Sequence, residues 1–132
     1  MHAEAIDHVN LRVPEASLDE FVAFYRDHMG FDLEHYDAYQ SGERGFFYVR
    51  LGESCIVHVS PRESVPEPTG ESFNHFAVLV DEPLSDVKSR LDDAGVTIET
   101  EAVREGAAGE LPCVYVTDPA GYTVEFKSHS AE

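Results

Sequence analysis

Asp7-His8-Val9-Asn10-Leu11-Arg12-Val13 and Asn74-His75-Phe76-Ala77-Val78 are two versions of one string: an acid or amide, a histidine, then a strand-like run. Residues 5–13 alternate between apolar and polar positions, as a strand with one buried face does, and 73–80 reads as a second strand. Helix signals follow each. In the first copy Ser17-Leu18-Asp19-Glu20 has the form of a capping box, whose serine and glutamate side chains satisfy free amides. Leu18, Phe21, Val22, Tyr25 and Met29 then recur at helical spacing, and Gly30 ends the run. In the second copy Pro83 opens the helix, where its missing N–H costs nothing. Leu84, Val87, Leu91 and Ala94 mark the buried stripe and Gly95 stops it. His8 precedes Gly30 by 22 residues, and His75 precedes Gly95 by 20.

Three strand-like pieces follow each helix: 31–36, 45–51 and 54–60, then 96–100, 111–117 and 122–128. The pattern is therefore βαβββ twice. It predicts one α+β domain of two half-repeats, with modules at 1–60 and 72–132 and a linker at 61–71 that holds three prolines and a glycine. An open half-barrel from each copy leaves a strand edge, which pairing with another copy would cover.

The 132 residues suit a single domain. No stretch approaches the roughly 18 apolar residues of a membrane span. Met1-His2-Ala3-Glu4 lacks the basic start and apolar run of a signal peptide, so the expectation is a cytoplasmic protein. Acidic residues number 26 against 9 basic, a net charge of −17, and lysine occurs only at Lys88 and Lys127. Such a field repels nucleic acid and anionic lipid, which argues against both as partners. The acids are spread along the chain, as on a surface adapted to concentrated salt in a halophile's cytoplasm, or on an ordinary acidic protein. Cys55 and Cys113 lie in apolar runs and read as buried, inert thiols.

Of the seven histidines, His2, His28, His35 and His129 read as surface groups. His8, His58 and His75 fall inside predicted strands among apolar neighbours, and Glu125 lies between Val124 and Phe126. A carboxylate in that setting is costly to desolvate without a partner. Two arrangements would satisfy these groups: a buried His–Glu hydrogen-bonded network, or a divalent cation held by neutral imidazoles and a carboxylate. Two histidines and one carboxylate also form the set suited to an iron(II) site with open positions.

These strings, with Phe21-Val22-Ala23-Phe24-Tyr25, Gly30-Phe31 and Asp118-Pro119-Ala120-Gly121-Tyr122-Thr123-Val124-Glu125, resemble the vicinal oxygen chelate superfamily over essentially the whole chain. That superfamily includes glyoxalase I, methylmalonyl-CoA epimerase, extradiol dioxygenases, fosfomycin-modifying enzymes and metal-free drug-binding proteins of the bleomycin-resistance type. The resemblance implies that the first strand of each half supplies a histidine ligand, His8 and His75, and that the last strand of the second half supplies Glu125. The fourth position falls on His58, as a ligand or as a base. The resemblance further implies a homodimer, in which His8 and His58 of one chain join His75 and Glu125 of the other.

The cofactor so implied is a divalent metal (Fe, Mn, Ni, Zn or Co). Its open positions would chelate adjacent oxygens of a small-molecule substrate while a nearby base moves a proton. Tyr115 lies ten residues before Glu125. It matches a substrate-facing tyrosine of the dioxygenases and fosfomycin-modifying enzymes, or else is a plain core tyrosine. Arg12, four residues after His8, matches an arginine that meets the substrate's anionic end in glyoxalase I; many relatives carry it without that role.

No subfamily matches at every position. Glyoxalase I has a carboxylate or amide where this chain has His58. Extradiol dioxygenases place an acid–base histidine early on that strand, where Glu53 and Ser54 stand here. A phosphonate pocket needs cations, and lysine is nearly absent. The expectation is a metal-dependent, glyoxalase-like enzyme of lyase or isomerase type. An iron(II) extradiol dioxygenase and a metal-free small-molecule-binding protein are the alternatives.

Overall fold

The first of the two strings forms strand β1, His8–Pro14, in which Leu11 and Val13 are buried while His8, Asn10 and Arg12 are exposed. The computed structural model describes residues 1–132. The chain divides into two compact units, Met1–Pro66 and Glu67–Glu132. No helix is long and apolar enough to cross a membrane.

In the first unit a 3-10 turn, Glu15–Ser17, leads into helix α1, Leu18–Val22, which widens into a π-helical stretch at Ala23–His28. The Met29 amide donates to the Phe24 carbonyl at 2.9 Å across the wide turn. Strand β2 (Asp32–Glu34), helix α2 (Tyr36–Gln40), β3 (Phe47–Gly52) and β4 (Cys55–Arg62) complete the unit. The sheet order is β1-β4-β3-β2, with β1 and β4 parallel and the other pairs antiparallel. Phe21 and Phe24, each in ring contact with Tyr25, are buried with it and with Val13, Phe47, Val49, Val57 and Val59.

The second unit repeats the plan. β5 (Phe76–Val80), α3 (Leu84–Asp93), β6 (Thr100–Gly106), β7 (Gly109–Thr117) and β8 (Thr123–Ser128) form a sheet of order β5-β8-β7-β6. Leu84, Val87 and Leu91 are the buried stripe of α3, and Val114, Val116, Val124 and Phe126 complete the core. Pro83 stands in extended conformation just before the helix. The first helical amide, Leu84, donates to the Ser130 carbonyl at 2.8 Å. Between β7 and β8, the Asp118 carboxylate accepts from the Ala120 and Tyr122 amides at 2.9 and 3.0 Å, and Gly121 takes the positive φ that this turn requires.

The repeat extends to register. His58 lies between Asn10 and Tyr48 on the flanking strands, and Glu125 lies between Ala77 and Tyr115. His8 and His75, Tyr48 and Tyr115, and His58 and Glu125 are each 67 positions apart. The two sheets therefore match residue for residue along these strands.

Several expectations are corrected. The capping box does not form: Ser17 is already helical, because the 3-10 turn precedes it, and its hydroxyl makes no cap bond. Residues 31–36 give only the short β2, and α2 follows in its place. Tyr36 and Tyr39, one turn apart, both set their rings on Phe47 at 4.8 and 5.4 Å, a packing that overrides strand propensity. His35 takes a left-handed backbone (φ 65°) at the start of that helix rather than lying on a strand.

Residues 96–99 are not strand, and β6 begins at Thr100 and runs to Gly106. Its mostly exposed residues lack alternation because it is an edge strand, paired on one side only. β4 continues through Pro61 and Arg62, which pair with β1 beyond Phe47, the first residue of the antiparallel β3. Of the three histidines read as mid-strand, His58 is so; His8 opens β1 and His75 immediately precedes β5.

Candidate metal centre

β8 carries Glu125 and Lys127 on one face, since strand side chains alternate, and both are buried, 3 % and 6 % exposed. One carboxylate oxygen, Oε1, lies 3.1 Å from Nε2 of His75, and the other, Oε2, accepts from the Lys127 ammonium at 2.9 Å. Burial alone would push the Glu125 carboxyl up. Hydrogen bonds from Tyr115, Lys127 and Cys113 outweigh it, so the carboxylate is held below its ordinary range. The Tyr115 phenol is pushed up to about 12, first by burial and then by its hydrogen bond to Glu125. The Tyr115 ring also stands edge-on to His75 at 5.3 Å.

Nδ1 of His75 lies 2.6 Å from Oδ1 of Asn74. That oxygen can only accept, so Nδ1 carries the hydrogen, and Nε2 meets a Glu125 oxygen, which also only accepts, across either a proton or a cation. His8 repeats the arrangement, with Nδ1 2.8 Å from Oδ2 of Asp7. The acid or amide that opens each string thus fixes the tautomer of the histidine after it. Such an outer partner is the usual support of a metal-ligating imidazole.

In the first unit the His8 and His58 rings stack at 4.1 Å, and Tyr48 stacks on the other side of His58 at 4.8 Å. Arg44 lies over the Phe46 and Tyr48 rings and donates to the Tyr48 hydroxyl at 3.0 Å. Burial, the neighbouring His8 and Arg44 lower the His58 pKa against a smaller opposing effect of Asp7, which favours the neutral imidazole. Arg12 is exposed on the β1 face that also presents His8 and Asn10.

Of the expected site residues, His8 and His58 are therefore brought together in the first unit, and His75, Glu125 and Tyr115 in the second. Neither unit by itself gathers three or more His, Cys, Asp or Glu side chains into a metal-holding group. Each unit offers donors of a kind that suits a divalent cation: the tautomer-fixed imidazole of His8 in the first, and that of His75 beside the ionised carboxylate of Glu125 in the second. Cys113 is buried with its thiol pKa pushed up, first by burial and then by Glu125, whereas Cys55 is half-buried.

The sequence reading passed over Lys127, Tyr48 and Arg44. Lys127 was legible from its place two residues after Glu125 on a strand, and Tyr48 from its place 67 residues before Tyr115. No sequence signal marks Arg44.

Duplicated βαβββ sheets with histidine opening each half and glutamate on the last strand define a glyoxalase-type fold. The model of the glyoxalase/bleomycin resistance protein/dioxygenase superfamily matches residues 5–126, and the chain belongs to that superfamily. It is 25 % identical to virulence protein STM3117 of Salmonella typhimurium, over 98 % of this chain and 87 % of that one. The crystal structure of that protein superimposes with a TM-score of 0.75 over 98 % and 99 % of the two chains. Glutathione transferase FosA of Serratia marcescens is 28 % identical over 92 % of this chain and 79 % of its own. A variant of the fosfomycin resistance protein FosX of Listeria monocytogenes, complexed with Mn(II) and 1S,2S-dihydroxypropylphosphonic acid, superimposes with a TM-score of 0.68 at 20 % identity, over 98 % and 92 % of the chains.

Proposed function

We propose that the protein is a divalent-metal-dependent enzyme of lyase or isomerase type acting on a small substrate with adjacent oxygens. His8, His75 and Glu125 would be the metal ligands. One observation carries the reading. His75 directs Nε2 at a carboxylate oxygen 3.1 Å away while Nδ1 is turned to Asn74. Two acceptors face each other stably only with a proton or a cation between them. The Mn(II) complex of FosX supports a metal in this fold.

When bound, the metal would act as a Lewis acid on substrate oxygens. Asn74 and Asp7 keep the imidazoles oriented. Tyr115, its single hydroxyl proton given to Glu125 and tightly held, would orient that carboxylate and accept from a hydroxyl of the substrate, and is not a base. His58 offers a neutral imidazole at the register position that Glu125 occupies in the other sheet. It would add a nitrogen ligand or take the proton from the carbon beside those oxygens. His58→Gln separates the two: metal lost in the first case, metal kept and turnover lost in the second. Because each unit contributes two of the four groups, a homodimer in which they are shared between chains is part of the proposal.

A second reading, a metal-free binding protein, is favoured by Lys127. Its ammonium already neutralises Glu125. Co(II) absorption separates the two readings. Ligand-field bands that appear on titration and vanish in His75→Gln support the enzyme; no bands in the wild type leaves the binding protein.

A further inference from the structure

Lys127 is one of two lysines in a chain of net charge −17, and its side chain is 7 % exposed. A lysine is rarely buried unless paired. Nζ donates to the Arg104 carbonyl at 2.8 Å and to Glu125 at 2.9 Å, which uses two of its three N–H donors. The stem lies against Gly106, where an added Cβ would come within 3.1 Å of Cε. The backbone of the β6–β7 hairpin therefore holds the ammonium in place. Together with His75 and Glu125, Lys127 lines a cleft of about 450 Å³, whose walls include the apolar Leu79 and Leu111. Glu105, the other carboxylate there, is solvent-exposed, and its charge is screened.

The fold does not require a lysine at this position. Its counterpart 67 residues earlier is Ser60, which faces Arg12 on β1 as Lys127 faces Leu79 on β5. Ser60 is equally buried, so the strand accommodates a small hydroxyl there.

We infer that Lys127 is an anion-recognition residue, whose third N–H holds an oxyanion, carboxylate or phosphoryl, of the ligand entering this cleft. The inference rests on the reading of the His75–Glu125 cleft as the substrate site. A partly desolvated ammonium between apolar walls attracts an anion more strongly than a surface lysine does. In a chain whose overall field repels anions, a bound one must be held by such local donors.

With only two lysines, the Hε–Cε correlations of Lys88 and Lys127 can be followed separately by NMR. Acetate and methylphosphonate are titrated in turn, first with EDTA and then with Zn(II). At least one anion is expected to move the Lys127 signal saturably and leave Lys88 unmoved, and which one does so tells carboxylate from phosphoryl. Calorimetry is expected to show affinity weakened at least about tenfold in Lys127→Met and retained in Lys127→Arg. A Lys127 signal that neither anion moves, or two lysines that shift alike, overturns the inference. Failure of the metal reading shows separately, as no heat of Zn(II) binding, while the titrations in EDTA still decide the role of Lys127.

Discussion

His58 and Glu125 occupy one and the same register position in two sheets, each opposite a tyrosine on the neighbouring antiparallel strand, Tyr48 and Tyr115. One is an imidazole and the other a carboxylate. The duplication has thus been kept in backbone and in the flanking tyrosines while the central group has changed its chemistry. Complementary donors at equivalent places are what a shared, two-fold site would use.

Sharing has a direct test. In a homodimer where His8 of one chain meets Glu125 of the other, mixing and refolding His8→Gln with Glu125→Gln chains rebuilds one intact site per mixed dimer. Metal binding absent from either variant alone should then return. If each site lies within one chain, no mixture restores it.

The Tyr115 phenol, pushed up to about 12, should stay un-ionised after the exposed tyrosines have titrated. A spectrophotometric titration of wild type minus Tyr115→Phe isolates its absorbance change. The midpoint should fall in Glu125→Gln, because the carboxylate beside the phenol disfavours phenolate. An ordinary midpoint in the difference curve would mean that Tyr115 is neither buried nor bonded as described.

His58 predicts a pH dependence of stability. Its pKa is lowered in the folded state, so the unfolded chain binds more protons as the pH falls below the ordinary histidine value. Its contribution is fully present above about pH 6.5 and is lost as the pH falls towards the folded value. The Tm of the wild type should therefore drop more steeply than that of His58→Gln between pH 7 and about 5. Parallel curves would contradict the burial and the His8 stacking.

The fold makes a packing prediction at Leu91, fully buried on α3. Leu91→Ala should cost about 2–5 kcal/mol in denaturant unfolding. Leu79→Ser, at a position 49 % exposed, should change stability little. The acidic surface makes another: at net charge −17, added KCl should raise Tm by screening self-repulsion.

Much of this architecture was legible in the sequence because apolar spacing and glycine stops fall at matching places in both halves. Leu84, Val87 and Leu91 were readable as a stripe because burial on a helix imposes its period. β6 was not, because an edge strand rich in exposed charge carries no alternation, and α2 was not, because Tyr36 and Tyr39 look like strand residues until Phe47 is beneath them. Of the proposed ligands, His8, His75 and Glu125 stood out as polar groups in apolar strings. Lys127 stood out less, because its only signal is the two-residue spacing from Glu125, and a lysine reads as surface until the hairpin that covers it is seen.

Metal analysis of untagged protein, purified beside Glu125→Gln and reconstituted with Fe, Mn, Ni, Zn and Co in turn, tests the central claim most directly. Stoichiometric divalent metal in the wild type, lost in the variant, is the expected result. No metal retained by the wild type under any of the five contradicts it and leaves a ligand-binding protein, with Lys127 as the only cation on Glu125.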